Sequence, residues 1–277
     1  MLGGVLISLL GGGVMGEAIT SSLLHGLHVT PDQITIAEPI TERRETLIQR
    51  YNVHATASNA EAARAADILV LSVKPQAMAS ALGDIRGVLR PEALIVSIAA
   101  GVPIFTIVEH LQAPWPIVRV MPNTPAQIGQ GISVWTSTPN VNRVQLEQAR
   151  LILSGMGQEI YVESENYLDM ATALSGTGPA YVFLFMEALI DAGVHMGFSR
   201  SISERLVEQT LKGSVEYAIQ SRRHVAELRN QVTSPAGTTA AALYQLEKGG
   251  LRHIISRAVW AAYERSVALG RIAKGDK

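Results

Sequence analysis

Cysteine is absent from the 277 residues. Disulfides, thiolate nucleophiles and cysteine-ligated metals are therefore excluded. An excess of either charge is absent too: the net charge is −1 and the isoelectric point about 6.7. No basic face for nucleic acid or anionic lipid is implied. Charged residues make up only 17% against 47% hydrophobic, which excludes disorder and supplies a large core. No stretch approaches the ~18 consecutive apolar residues of a membrane span. The apolar start lacks the basic flank of a signal peptide, since the first Lys or Arg is Arg43; it reads as a buried strand. The histidines show no H-E-x-x-H spacing, His25 and His28 read as surface residues, and no metal site is expected. A cytoplasmic location, with neither membrane nor nucleic acid as partner, fits this composition.

What is present is concentrated at the start. Gly11-Gly12-Gly13-Val14-Met15-Gly16 follows the apolar run Val5–Leu10 and precedes a helical pattern to His25. Strand, G-x-G-x-x-G turn and helix form the dinucleotide-binding fingerprint. Gly11 allows the tight turn, Gly13 the close approach of a pyrophosphate, and Gly16 helix–strand packing. The free N–H groups at the helix start, including those of Val14 and Met15, face the phosphates. Glu38 lies about 20 residues on, where an acid binds the ribose of NAD and repels a 2′-phosphate. Arg43 and Arg44 in the next helix's first turn attract that phosphate instead. The two signals oppose each other.

The first 163 residues alternate short Val/Ile/Leu runs with helical patterns. Strands are expected at Val5–Leu10, Ile34–Ala37, Val53–His54, Ile68–Ser72, Leu94–Ile98, Ile117–Met121, Ile132–Trp135 and Ile160–Val162. That is the rhythm of a mostly parallel, doubly wound Rossmann-type sheet. Beyond Glu163 strand signals stop, and residues 164–277 read as an all-helical domain. Ser201 and Glu204 have capping-box spacing. Ala180–Met196 is apolar around most of its girth, with only Glu187, Asp191 and His195 ionisable. Such a helix must be buried, and a subunit interface is the expected cover, an internal core the alternative.

Further strings are spaced along the chain: Ser72-Val73-Lys74-Pro75-Gln76, Arg119-Val120-Met121-Pro122-Asn123-Thr124-Pro125-Ala126, Leu174-Ser175-Gly176-Thr177-Gly178-Pro179-Ala180-Tyr181 and Val232-Thr233-Ser234-Pro235-Ala236-Gly237-Thr238-Thr239. Leu246-Glu247-Lys248-Gly249-Gly250 closes the series. In order and spacing they resemble the pyrroline-5-carboxylate reductase family over essentially the whole chain. One departure is Ala236, where the family usually has a second glycine. The resemblance implies a Rossmann domain and a C-terminal helical dimerisation domain that interlocks with a second subunit. It further implies assembly of dimers up to decamers, NADPH as usual hydride donor with NADH as alternative, and 1-pyrroline-5-carboxylate as substrate. It places Asn59 at the adenosine end of the cofactor, and the Thr239 hydroxyl near the ring nitrogen of the imine.

The residues support a consistent chemistry. Ligands of open α/β sheets bind at the carboxyl ends of strands. Gly11–Gly16, Glu38, Ser72, Val73, Lys74 and Pro75, then Ala99, Ala100 and Gly101, and finally Asn123 all fall there. Small residues at 99–101 let a flat nicotinamide lie against backbone. Ser234, Gly237, Thr238 and Thr239 are the expected substrate-binding residues, with Thr239 catalytic. They precede a helix whose first turn has no acid, so its N–H groups suit a carboxylate. Thr238 as a mere helix cap is the plain alternative. β-Hydroxyacid dehydrogenases, a related fold group, place a lysine shortly after a similar glycine string; here none follows Gly178 until Lys212. Carbonyl reduction needs a proton donor, and reduction of a protonated imine does not. A different imine or hydroxyacid dehydrogenase of this fold and a non-catalytic dinucleotide sensor are the competing readings; the missing lysine disfavours the hydroxyacid version, and the retained Ser234–Thr239 loop the sensor.

Overall fold

The structure is a computed structural model that describes residues 2–27 and 29–273. His28 and the last four residues of the expected helical domain lie outside the described residues.

β1 (Ile7–Leu10), β2 (Ile34–Ala37), β3 (His54–Thr56), β4 (Ile68–Leu71), β5 (Leu94–Ser97), β6 (Ile117–Met121), β7 (Gly131–Ser137) and β8 (Gly157–Tyr161) form one sheet in the order β3-β2-β1-β4-β5-β6-β7-β8. Every pair is parallel except β6–β7. The exception has a local cause: a short connection holding only the 3₁₀ turn Thr124–Ile128 is too brief for a crossover helix. The helices are α1 (Val14–Gly26), α2 (Thr41–Tyr51), α3 (Asn59–Arg64), α4 (Met78–Ile85), α5 (Ile104–Leu111) and α6 (Arg143–Ser154). One apolar cluster joins the sheet to α1, α2 and α6, and a second joins its other face to α3, α4 and α5. β1, β4 and β5 are buried at every position and mostly apolar, broken only by Ser8 and Ser97, rather than alternating. The apolar N-terminal segment is thus an interior strand of the sheet, between β2 and β4.

The rest is helical: α7 (Tyr167–Ala171), α8 (Gly178–His195), α9 (Arg200–Ser221), α10 (Val225–Gln231), α11 (Thr238–Lys248) and α12 (Leu251–Ala273). A π turn at Thr172–Gly176 joins α7 to α8. α10 has no counterpart in the sequence reading; at seven residues it is too short for a clear period. The expected capping box at Ser201 is corrected, because Ser199 is the cap and its Oγ accepts the Ile202 N–H. Ser201 lies inside the helix.

Two compact units emerge: residues 1–177 with 261–277, and residues 178–260. A single boundary at 163/164 was expected. α7 and the π turn instead belong with the sheet, and the end of α12 rejoins it. Within the helical unit α8 and α9 meet closely at Gly193, where a side chain would collide with Ser203. Otherwise α8 is uncovered, with Val182 50%, Phe183 61% and Leu184 67% exposed. It is therefore no internal core helix of the chain. The helical stretch Tyr167–His195, taken across the π turn, is long and apolar enough by length and composition alone to cross a membrane, which the count of consecutive apolar residues did not reveal.

Candidate active site

Sterics explain the first turn. Gly11 has φ +103°, and a Cβ there would sit 2.8 Å from the Ser72 carbonyl oxygen. Ser72 Oγ donates to the carbonyls of Leu10 (2.9 Å) and Gly11 (2.8 Å), which fastens β4 to β1 at the point where strand order reverses. A Cβ at Gly16 would collide with the Gly11 carbonyl oxygen. Gly13 differs, because no protein atom lies within 4 Å of its would-be Cβ. Nothing inside the fold demands glycine there, and the helix start in front of it is left open. Gly13 caps α1 with no side chain, and the first helical bond is Glu17 N–H to its carbonyl. The N–H groups of Val14, Met15 and Gly16 precede that bond and remain for an anion.

At the end of β2, Glu38 is 7% exposed. Its carboxylate accepts the N–H of Gly12 (2.9 Å) and of Ile40 (3.1 Å). It therefore shapes the glycine turn, a function the sequence did not signal. Arg43 is also committed: its Nε donates to the Gly12 carbonyl (2.6 Å) and its guanidinium pairs with Glu17 at 2.5 Å. The Gly12 peptide is gripped from both sides. Arg44 folds over the turn after β2, donating to the carbonyls of Glu38 (2.7 Å) and Pro39 (2.8 Å). Asn59 is the first residue of α3, behind the cap Ser58, and its Nδ2 donates to Asp84 at 2.9 Å.

Toward the other strand ends, Lys74 is exposed and caps the 3₁₀ turn that Pro75 opens, next to half-buried Val73. Ala99 is buried, Ala100 half-buried, and Gly101 has φ +68°. Asn123 follows β6. Its Nδ2 donates to the Ser175 carbonyl (3.2 Å) and its Oδ1 accepts the Ile132 N–H (3.0 Å). Both ends of that amide serve the scaffold.

The helical unit carries the remaining candidates. Gly237 N–H donates to the Ser234 carbonyl, closing a four-residue turn. Pro235 stands second in it and Ala236 third, with φ +56°. That is the turn class that prefers glycine at the third position, which explains the family's habit. α11 starts at Thr238, two residues earlier than a start at Ala240. Gly237 is the cap and has no side chain, so Thr238 does not cap its own helix. The first turn holds no acid, and the N–H groups of Thr238, Thr239 and Ala240 precede the first helical bond, Ala241 N–H to Gly237. A side chain at Gly237 would collide with Ser234 Oγ.

Glu17 went unnoticed in the sequence because its partners come from another helix. Its carboxylate takes Arg43, Arg50 (2.8 Å) and the Tyr51 hydroxyl (2.9 Å). Burial alone raises its pKa; hydrogen bonds from Arg43 and Tyr51 and the charges of Arg43 and Arg50 outweigh that and hold it below the usual carboxylate value. The Tyr51 hydroxyl is pushed up by burial and by its bond to Glu17.

A mostly parallel sheet with a glycine turn at its switch point, followed by an uncovered helical unit, defines a dinucleotide-dependent oxidoreductase that self-associates. Comparison with known proteins agrees. Residues 165–269 match the family model for pyrroline-5-carboxylate reductase dimerisation, and residues 6–101 match that described as NADP oxidoreductase, coenzyme F420-dependent. The pyrroline-5-carboxylate reductase of Pseudomonas aeruginosa is 42% identical over 95% of this chain and 96% of its own. That of Synechocystis is 40% identical over 96% and 99%. A crystal structure of Plasmodium falciparum pyrroline carboxylate reductase with NADP bound superimposes with TM-score 0.89 at 37% identity, covering 96% of this chain and 98% of that one. The chain belongs to the pyrroline-5-carboxylate reductase family.

Proposed function

We propose that this enzyme reduces the cyclic imine of 1-pyrroline-5-carboxylate to L-proline, the last step of proline biosynthesis, with NADPH as donor and NADH as alternative. The observation that carries the substrate reading is the start of α11: unpartnered N–H groups, a cap without a side chain, and no competing acid. A carboxylate fits there. Ser234 shapes the turn and Gly237 keeps it open.

When bound, the nicotinamide supplies a hydride. The hydride goes to the imine carbon, the C=N π pair moves to nitrogen, and the protonated imine becomes a neutral amine. No side-chain acid is required. The Thr239 hydroxyl accepts from the iminium N–H and fixes the ring so that its electrophilic carbon faces the donor; that orientation is the catalytic contribution of this residue. At the cofactor, Gly11, Gly13, Val14, Met15 and Gly16 hold the pyrophosphate, and Glu38 and Asn59 meet the adenosine half. Ser72–Pro75, Ala99–Gly101 and Asn123 flank the nicotinamide half. Thr239→Ala keeps the backbone donors and loses one hydrogen bond to a charged group, so kcat/KM falls roughly 10- to 100-fold. NADPH affinity stays unchanged, and Thr239→Val behaves like Thr239→Ala. Wild-type efficiency in both variants overturns the assignment.

The apolar surface of α8 and α12 is read as subunit interface rather than membrane-facing surface. Dimers are the basic unit and stack further to decamers, in the cytoplasm.

A further inference from the structure

Arg119 lies on β6, inside the sheet, and is 4% exposed. A buried guanidinium is tolerated only when paired. Its partner is Glu165 Oε1 at 2.6 Å. The same oxygen accepts the Ile104 backbone N–H at 2.7 Å. Ile104 opens α5, and its cap, Pro103, has no side chain able to bond it. Glu165 therefore neutralises a buried cation and caps a helix 61 residues away.

α5 begins where the loop 99–103 ends. The last turns of α12 pin that loop as well. Leu269 packs over Gly101, where a Cβ would come within 2.8 Å of the leucine Cβ. Ser266, 3% exposed on the same helix, donates to Asp169 at 2.7 Å. Asp169 lies on α7, which starts two residues after Glu165. Loop, α7 and the end of α12 line one small cavity of about 170 Å³ beside the ion pair. For packing alone, two apolar side chains serve as well as a buried ion pair; they leave the Ile104 N–H without an acceptor.

We propose that Glu165 is a positioning residue: the Arg119–Glu165–Ile104 clasp holds the β5–α5 loop in the shape against which the nicotinamide ring lies. It thus governs the reactive end of the cofactor and leaves the adenosine end alone. The proposal rests on the reading that Ala99–Gly101 receive the nicotinamide.

The test compares Glu165→Gln and the double variant Arg119→Met/Glu165→Met with wild type in the full chain. The double variant removes both charges, so the fold survives. Binding of 2′,5′-ADP reports the adenosine end, emission of bound NADPH reports the nicotinamide, and kcat and KM report turnover. The expected result for the double variant is unchanged 2′,5′-ADP affinity, emission shifted toward that of free NADPH, and kcat lowered on the order of 10- to 100-fold. Glu165→Gln, which keeps an acceptor for Ile104, falls less. A folded double variant with wild-type kcat and emission overturns the proposal. So does an equal loss of 2′,5′-ADP affinity, which marks general support of the domain. Ala100→Val separates the two layers. If it leaves emission and kcat unchanged, the nicotinamide reading falls and the clasp with it. If it alters both while the double variant does not, only the clasp is wrong.

Discussion

Ala236 shows how one methyl group bears on the site. At φ +56° it occupies a left-handed conformation that costs an L-residue about 1–2 kcal/mol. Glycine relieves this but loses more chain entropy on folding, by about 0.5–1 kcal/mol. Ala236→Gly is therefore expected to raise stability by about 0.5–1 kcal/mol, read as a higher Tm. A lower Tm shows that the turn depends on the methyl group. The two arginines after β2 divide by the same kind of detail. Arg43 is held by Gly12 and Glu17, whereas Arg44 donates to the turn after β2 and to Thr41 at the start of α2. Arg44→Ala is expected to lower kcat/KM with NADPH roughly 10- to 100-fold relative to NADH, the loss of one charged hydrogen bond. Arg43→Ala weakens both cofactors alike, because it loosens the glycine turn. Equal losses for NADPH and NADH in Arg44→Ala remove Arg44 from the 2′-phosphate.

Glu17 joins α1 to α2 through three partners from α2. Its pKa lies below the ordinary 4.5 despite burial, because Arg43, Tyr51 and Arg50 favour the charged form. A depressed native pKa means that the unfolded chain binds the proton more readily. The stabilisation is thus complete above pH 4.5 and is lost as pH falls through the native value. Glu17→Gln should destabilise at pH 7 and flatten the acid limb. Urea midpoints of wild type and variant should converge as pH falls through the native value. A gap that persists there assigns the effect to shape rather than charge.

The exposed apolar face of the helical unit concerns the assembly. Tyr181, Leu184, Phe185 and Ala188 on α8 and Leu251, Ile254, Ile255 and Ala258 on α12 line an apolar groove of about 480 Å³. A groove of that character left open invites association. Light scattering at micromolar protein should show at least a dimer; an active, well-folded monomer contradicts the reading. Leu184→Asp removes about 1.5–3 kcal/mol of burial, counted twice in a two-fold interface. Dimer dissociation should strengthen roughly 100- to 10,000-fold.

Elements made by neighbouring residues were legible in the chain alone. β2, β6 and α5 begin and end where the apolar pattern does. The glycine turn follows from backbone sterics within a few residues, so its purpose can be read without a fold. The largely apolar girth of α8 was legible for the same reason, since periodicity is local. Long-range pairing is not local. Glu38 on Gly12, Arg43 on Glu17 and Arg119 on Glu165 join residues 26 to 46 apart. Their meeting depends on strand order and on which face of the sheet each helix covers. Likewise, whether residues 164–177 belong to the helical half depended on packing against β6 and β7, which no run of side chains encodes. The chemistry of the turn and the loop was thus written in adjacent residues. The groups that hold them in shape were chosen by tertiary structure, because a buried charge or an uncapped helix takes whichever partner the fold brings within reach.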